Sequence, residues 1–133
     1  MNLYCHLQTR VTEAVAALAE AGRLPSGFDM SRVLVEPARN PAHGDVTTNA
    51  AMVLAGQARV KPRELAALLG ERLAAGDGIE RVEIAEPGFI NLRLKAGFWH
   101  QRLIDILQAG LSYGDSVASA GAMINVEYVS ANP

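Results

Sequence analysis

In the stretch EPGFINLRLKAG, residues 86–97, four side chains of distinct chemistry recur two apart: Phe89, Asn91, Arg93 and Lys95. Alternate residues of an extended strand project to the same side. A ring, an amide and two cations therefore share one face, while Ile90, Leu92 and Leu94 share the other. The second set has the composition of a core. The first set is what recognition of looped or single-stranded RNA uses. Splayed bases stack on aromatic rings, an amide can pair bidentately with adenine, and cations hold phosphates. A solvated strand face can carry the same cations, with Phe89 turned beneath a helix. On the pattern alone both readings stand.

Other candidate chemistry is thinner. His6, His43 and His100 lie in different elements, without ligand spacing to Cys5 or to each other. Zinc sites use close pairs such as C-x-x-C or H-x3-H, so no metal site is expected. AHGD, residues 42–45, places a histidine beside an aspartate, but no motif marks a nucleophile. A turn followed by a helix cap is the simpler reading, with Asp45 as the cap. The glycines at 70, 76, 78 and 88 do not form a phosphate-binding loop between a strand and a helix. RVKPR, residues 59–63, is a small basic cluster best read as a solvated helix start.

The elements that must position these residues follow from composition and periodicity. A chain of 133 residues, 50% hydrophobic and 20% charged, suits one domain with a real core, or one domain plus a fragment of another. Its net charge of −2 gives no bulk attraction to nucleic acid, so RNA binding would need a local basic patch. One cysteine excludes an internal disulfide and fits a reducing compartment. The amino terminus lacks the apolar run of a signal peptide, and no stretch is long enough to span a membrane. A cytoplasmic protein without membrane partners is expected.

Residues 3–21 carry Leu3, Leu7, Val11, Ala14 and Leu18 at helical spacing, stopped by Gly22. VLVEP is a short strand ended by Pro37, and ARNPAHGD is a polar loop. DVTTNAAMVLAGQA reads as a helix. KPRELAALLGERLAAG is the clearest helix, with Pro62 at its start and Leu65, Leu68, Leu69 and Leu73 as its stripe. GIERVEIA and GFINLRLK form two strands joined at EPG, a tight-turn sequence. GFWHQRLIDILQAG is another amphipathic helix, offering Phe98, Leu103, Ile106 and Leu107 to a core. The expected fold class is α+β, with amphipathic helices packed on a small, largely antiparallel sheet. The closing AMINVEYVSANP is strongly β-prone and stops at the start of a loop. It reads as a strand belonging to a larger protein, cut at the boundary.

Two separated segments, HGDVTTNAAMVLA and EIAEPGFINLRL, resemble the amino-terminal domain of bacterial arginyl-tRNA synthetases. INVEYVSANP resembles the first strand of their catalytic domain, just upstream of the His-x-Gly-His signature. The resemblance runs from about Asn40 to Pro133. It implies a tRNA-binding domain over 1–121, and over 122–133 the first strand and signature-loop start of a truncated class I catalytic domain. In this family the amino-terminal domain packs on the tRNA elbow and reads a D-loop nucleotide with an aromatic residue and an amide two positions later. Those roles carry over to Phe89 and Asn91, with Arg93 and Lys95 beside them as phosphate contacts. The resemblance also places Glu127, Ser130 and Asn132 at the rim of the arginine pocket of the intact enzyme. The parent would be a monomer that ligates arginine to tRNA using ATP and Mg²⁺. The fragment itself would bind tRNA-arginine without catalysis, cofactor or metal. A rival from another class is a protein-interaction module using the same exposed sheet face.

Overall fold

The computed structural model of the chain describes residues 3–115 together with positions 121, 123 and 125. The first helix, α1 (Leu3–Glu20), buries Leu7, Val11, Ala14, Val15 and Leu18, the stripe that its three- and four-residue spacing sets up. Gly22 ends it with φ of 69°, a conformation that costs other residues a steric penalty. The Arg23 N–H donates back to the Leu18 carbonyl at 2.9 Å and closes the last turn. Then follow β1 (Val35–Pro37), β2 (Val46–Thr48), α2 (Ala50–Ala58), α3 (Pro62–Ala74), β3 (Ile79–Ala85), β4 (Phe89–Leu94) and α4 (Ala96–Ala109). A single 3₁₀ turn, Gly110–Ser112, ends the described elements.

The four strands make one sheet in the order β1-β2-β4-β3, with every neighbouring pair antiparallel. The α+β class is as expected. The inward set of β4 is Ile90, Leu92 and Leu94, all buried among the side chains of α1, α2 and α3. α3 starts at Pro62, as the sequence indicates, and buries Leu65, Leu69 and Leu73 against the sheet. The β3–β4 hairpin turns through Glu86-Pro87-Gly88, with a cis bond before the proline. Gly88 is buried where a Cβ would lie 3.0 Å from the Pro62 Cβ. The turn is thus pressed on the start of α3, and Phe89 leaves it at a fixed point.

Two expectations are corrected. Asp45 does not cap a helix, because Val46, Thr47 and Thr48 form β2 in the middle of the sheet, and α2 begins only at Ala50. Three β-branched residues in succession are stiff and fit a pleated surface better than a helix turn. Their alternation, with Val46 and Thr48 buried and Thr47 half-buried, is a strand's. The second correction is α4. Among the described residues it buries no side chain completely, and Leu103, Ile106 and Leu107 face outward. Only Phe98 packs on the core, its ring lying over Gly78, where a Cβ would meet it at 2.6 Å. The strand expected over 122–133, and with it the boundary at 121, lies outside the described residues.

Candidate nucleic-acid interface

Helices cover one face of the sheet, and the other face carries the candidate site. Register alone assembles its centre. Glu36 of β1 pairs with Thr47 of β2, Thr47 with Asn91 of β4, and Asn91 with Glu83 of β3. Four side chains thus cross the sheet in one row. Phe89, paired with Ala85, sits at one end of β4, and Arg93, paired with Arg81, at the other. Phe89 is half-buried and takes no part in the hydrophobic core. Its ring borders a concavity of about 240 Å³ that is also lined by Glu36, Arg39, His43, Thr47 and Asn91.

Asn91 lies at the bottom of that concavity and is only 8% exposed. Among the described residues its carboxamide makes no hydrogen bond, although Thr47 and Glu83 flank it in the ladder. Its amide atoms are not among the fully buried polar atoms that lack a partner, so they open into the concavity, where a ligand's donor and acceptor can replace water. Glu83 is engaged elsewhere. It pairs with Arg81, and the His43 Nδ1 stands 3.9 Å from its other carboxylate oxygen.

The cover over Asn91 comes from the β1–β2 connection, residues 38–45. The Ala38 N–H donates to the Asp45 carbonyl at 3.1 Å and closes the hairpin. Asn40 organises the tip, its Oδ1 accepting from the Ala42 N–H at 3.0 Å and its carbonyl from the His43 N–H at 3.0 Å. Gly44 then runs so close to β4 that a Cβ would sit 2.9 Å from the Leu92 carbonyl oxygen. Only a glycine permits that approach without moving backbone. Asp45 continues the ladder: its N–H donates to the Leu92 carbonyl at 2.8 Å, and its carboxylate accepts from the Leu94 N–H at 2.8 Å. The sequence HGD is therefore a clamp of loop on strand. Among the described residues no three His, Cys, Asp or Glu side chains are grouped to hold a metal ion.

Sequence reasoning places Phe89, Asn91 and Arg93 on one face, and the structure does the same. Lys95 falls beyond the strand, exposed at the start of α4. The guanidinium of Arg93 is turned into the loop. It donates to the Pro41 carbonyl at 2.7 Å and the Ala42 carbonyl at 3.3 Å, and lies 3.7 Å from the Asp45 carboxylate. Arg39, His43 and Thr47 join the site only through the fold, because no sequence pattern marks them as binding residues. The available signal is Val46-Thr47-Thr48, since a strand there turns the polar loop before it into a hairpin end lying over β4. Glu127, Ser130 and Asn132 lie outside the described residues.

The comparisons with known proteins bear on this same region. The family model described as the arginyl tRNA synthetase N terminal domain matches residues 6–94, the span from α1 to the end of β4. The arginine–tRNA ligase of Parvibaculum lavamentivorans is 53% identical over 133 residues, covering 100% of this chain and 23% of that protein. That of Nitrobacter winogradskyi is 54% identical over 132 residues, 99% of this chain and 22% of that protein. The chain thus spans less than a quarter of the length of the curated relatives it matches. The arginyl-tRNA synthetase of Thermus thermophilus superposes with a TM-score of 0.55 at 25% identity, over 76% of this chain and 15% of that one. That of Plasmodium falciparum gives a TM-score of 0.60 over 76% of this chain and 17% of that one, and at 15% identity speaks for the fold alone. With two thirds of its length matched by the family model and ligases half identical along all of it, the chain belongs to the family of arginyl-tRNA synthetase N-terminal domains.

Proposed function

We propose that this domain binds the elbow of tRNA-arginine and reads one D-loop nucleotide, Phe89 stacking on the base and Asn91 pairing with its edge. The observation that carries the reading is the pairing of a non-core aromatic ring with an unpartnered amide at the bottom of one concavity. Stacking supplies affinity with little base preference, whereas an amide discriminates by donor and acceptor pattern. Lys95, exposed and without an ion pair among the described residues, supplies phosphate attraction at the end of the row. The protein works in the cytoplasm as part of a monomeric ligase, residues 1–121 forming the tRNA-binding domain and 122–133 opening the catalytic one. Glu127, Ser130 and Asn132 then border the arginine pocket. The ligase joins arginine to tRNA with ATP and Mg²⁺. The part of it described by these 133 residues supplies recognition, and alone should give no arginine-dependent ATP–pyrophosphate exchange.

The test is Phe89→Ala, measured twice. A buried phenylalanine replaced by alanine loses about 3–5 kcal/mol of stability, whereas a stacking platform loses about 1–3 kcal/mol of binding. The expected result is a denaturant midpoint near wild type with weaker binding to a tRNA-arginine transcript at low salt. Unfolding without a binding defect overturns the reading. Cross-linking of this face to a protein while RNA fails to bind would favour the interaction-module alternative.

A further inference from the structure

Three arginines and a histidine border the concavity or the row above it, and three of the four are engaged. Arg81 pairs with Glu83, and the His43 ring faces the same carboxylate. Arg93 divides its guanidinium between two loop carbonyls and Asp45. Arg39 alone among these four has no ion pair or hydrogen bond within the described residues, although it is exposed and lines the concavity. It is part of the lining that the loop contributes, with Asn40 and His43. Lys95 is also unpaired among the described residues, but it lies past the strand end and does not line the concavity.

We propose that Arg39, rather than Arg93, contacts the phosphate of the nucleotide held by Phe89 and Asn91, and that Arg93 is a positioning residue that fixes the Ala38–Asp45 loop as the second wall of the pocket. The proposal rests on the elbow-binding reading and adds a division of labour to it. A guanidinium can bridge two carbonyls and a carboxylate at once because its donors are held in a rigid fork. Those contacts tie the loop tip to β4 on one side, while Gly44 and Asp45 tie its end to Leu92 and Leu94. A wall fixed at both points keeps the loop beside Asn91, which is 8% exposed and lines the concavity. A nucleotide whose base meets Phe89 and Asn91 in this concavity brings its phosphate within the same lining that holds Arg39.

The two arginines should separate in one experiment on the 133-residue chain. Binding to a tRNA-arginine transcript, and to transcripts carrying each of the other bases at the D-loop position, is followed against salt concentration. Each phosphate of a single-stranded segment that is no longer neutralised makes the slope of log K against log salt shallower by about 0.7. Arg39→Ala should show that change and keep the order of preference among the four bases. Arg93→Ala should keep the slope, bring the four bases towards equal affinity, and speed hydrogen exchange at the Ala42 and His43 amides. Arg93→Lys should not restore discrimination, because an ammonium cannot reproduce the fork. A shallower slope with discrimination intact in Arg93→Ala, or an unchanged slope in Arg39→Ala, overturns the proposal. If Arg93→Ala does not fold, the Arg39→Ala slope decides alone. Phe89→Ala and Asn91→Ala serve as controls for the underlying reading. Should both bind like wild type, elbow recognition itself falls. Should both weaken binding while the arginines behave otherwise than stated, only the division of labour falls.

Discussion

β4 and α4 follow one another in the chain, joined at Lys95, and each has an apolar and a polar side. Their fates differ. The apolar side of β4 is fully enclosed, with Ile90 and Leu92 at 0% exposure, and its polar side is partly covered by the loop over Asn91. The apolar side of α4 is open, with Leu103 at 58% and Leu107 at 79% exposure. Periodicity determines which side chains share a face. What covers the face is decided by neighbours distant in sequence, and β4 has them on both sides. β2 and β3 pair with it, and α2 and α3 lie beneath it. α4 touches the core through Phe98 alone, with the Arg102 guanidinium 5.3 Å over that ring.

The largest effect this contrast predicts is at Leu92. Leu92→Ala removes a side chain with no exposure from the centre of the core and should cost about 2–5 kcal/mol, read as a drop in the urea midpoint at constant m-value. A loss below about 1 kcal/mol, under the usual range for a buried leucine, would mean that the inner face of β4 is loosely packed. The two elements would then differ less than their burial says.

The same contrast explains how much can be read from the residues alone. The stripes of α1 and α3, the hairpin at EPG and the two faces of β4 are local patterns of period 3.6 or 2, and all are legible. A helix over Asp45–Thr48 is a misreading, because the alanine-rich run from Ala50 extends a helical pattern backwards over three β-branched residues. The pairing of β2 with β4 overrides it, and that pairing joins residues more than forty apart. The site divides likewise. Phe89 and Asn91 are visible as neighbours on one strand. The wall that makes a pocket of them is not, since it depends on Gly44 meeting the Leu92 carbonyl and Arg93 meeting Pro41.

A smaller effect is expected where β4 gives way to α4. At the end of β4, beside the Lys95 N–H that donates to the Gly78 carbonyl at 2.9 Å, the Asp45 carboxylate accepts a side-chain bond from the Leu94 N–H at 2.8 Å. Asp45→Ala leaves that part-buried donor without a partner and should cost about 1–3 kcal/mol. Asp45→Asn keeps an acceptor oxygen and should recover much of the loss. Hydrogen exchange distinguishes this role from helix capping. The Leu94 amide should lose protection in Asp45→Ala, while the amides of the first turn of α2 keep theirs. Loss of protection at α2 alone would restore Asp45 to the cap position and break the continuity of β2 with the loop.

The smallest effect should be at the outer side of α4. Leu107 is 79% exposed and belongs to no buried cluster among the described residues, so Leu107→Gln removes little packed surface. Substitutions at such positions usually stay within about 0.5 kcal/mol of wild type. Glutamine is nearly as good a helix former as leucine, so propensity does not disguise the result. The comparison with Leu92 then becomes quantitative: two leucines, one indispensable to the fold and one nearly silent. The measurement is the urea midpoint of the 133-residue chain at two protein concentrations about a hundredfold apart, because only association makes stability depend on protein concentration. A midpoint within about 0.5 kcal/mol of wild type at both concentrations leaves α4 as an uncovered face. A loss above about 1 kcal/mol at both would mean that this leucine is packed within its own chain. A loss confined to the higher concentration would mean that a second copy covers it.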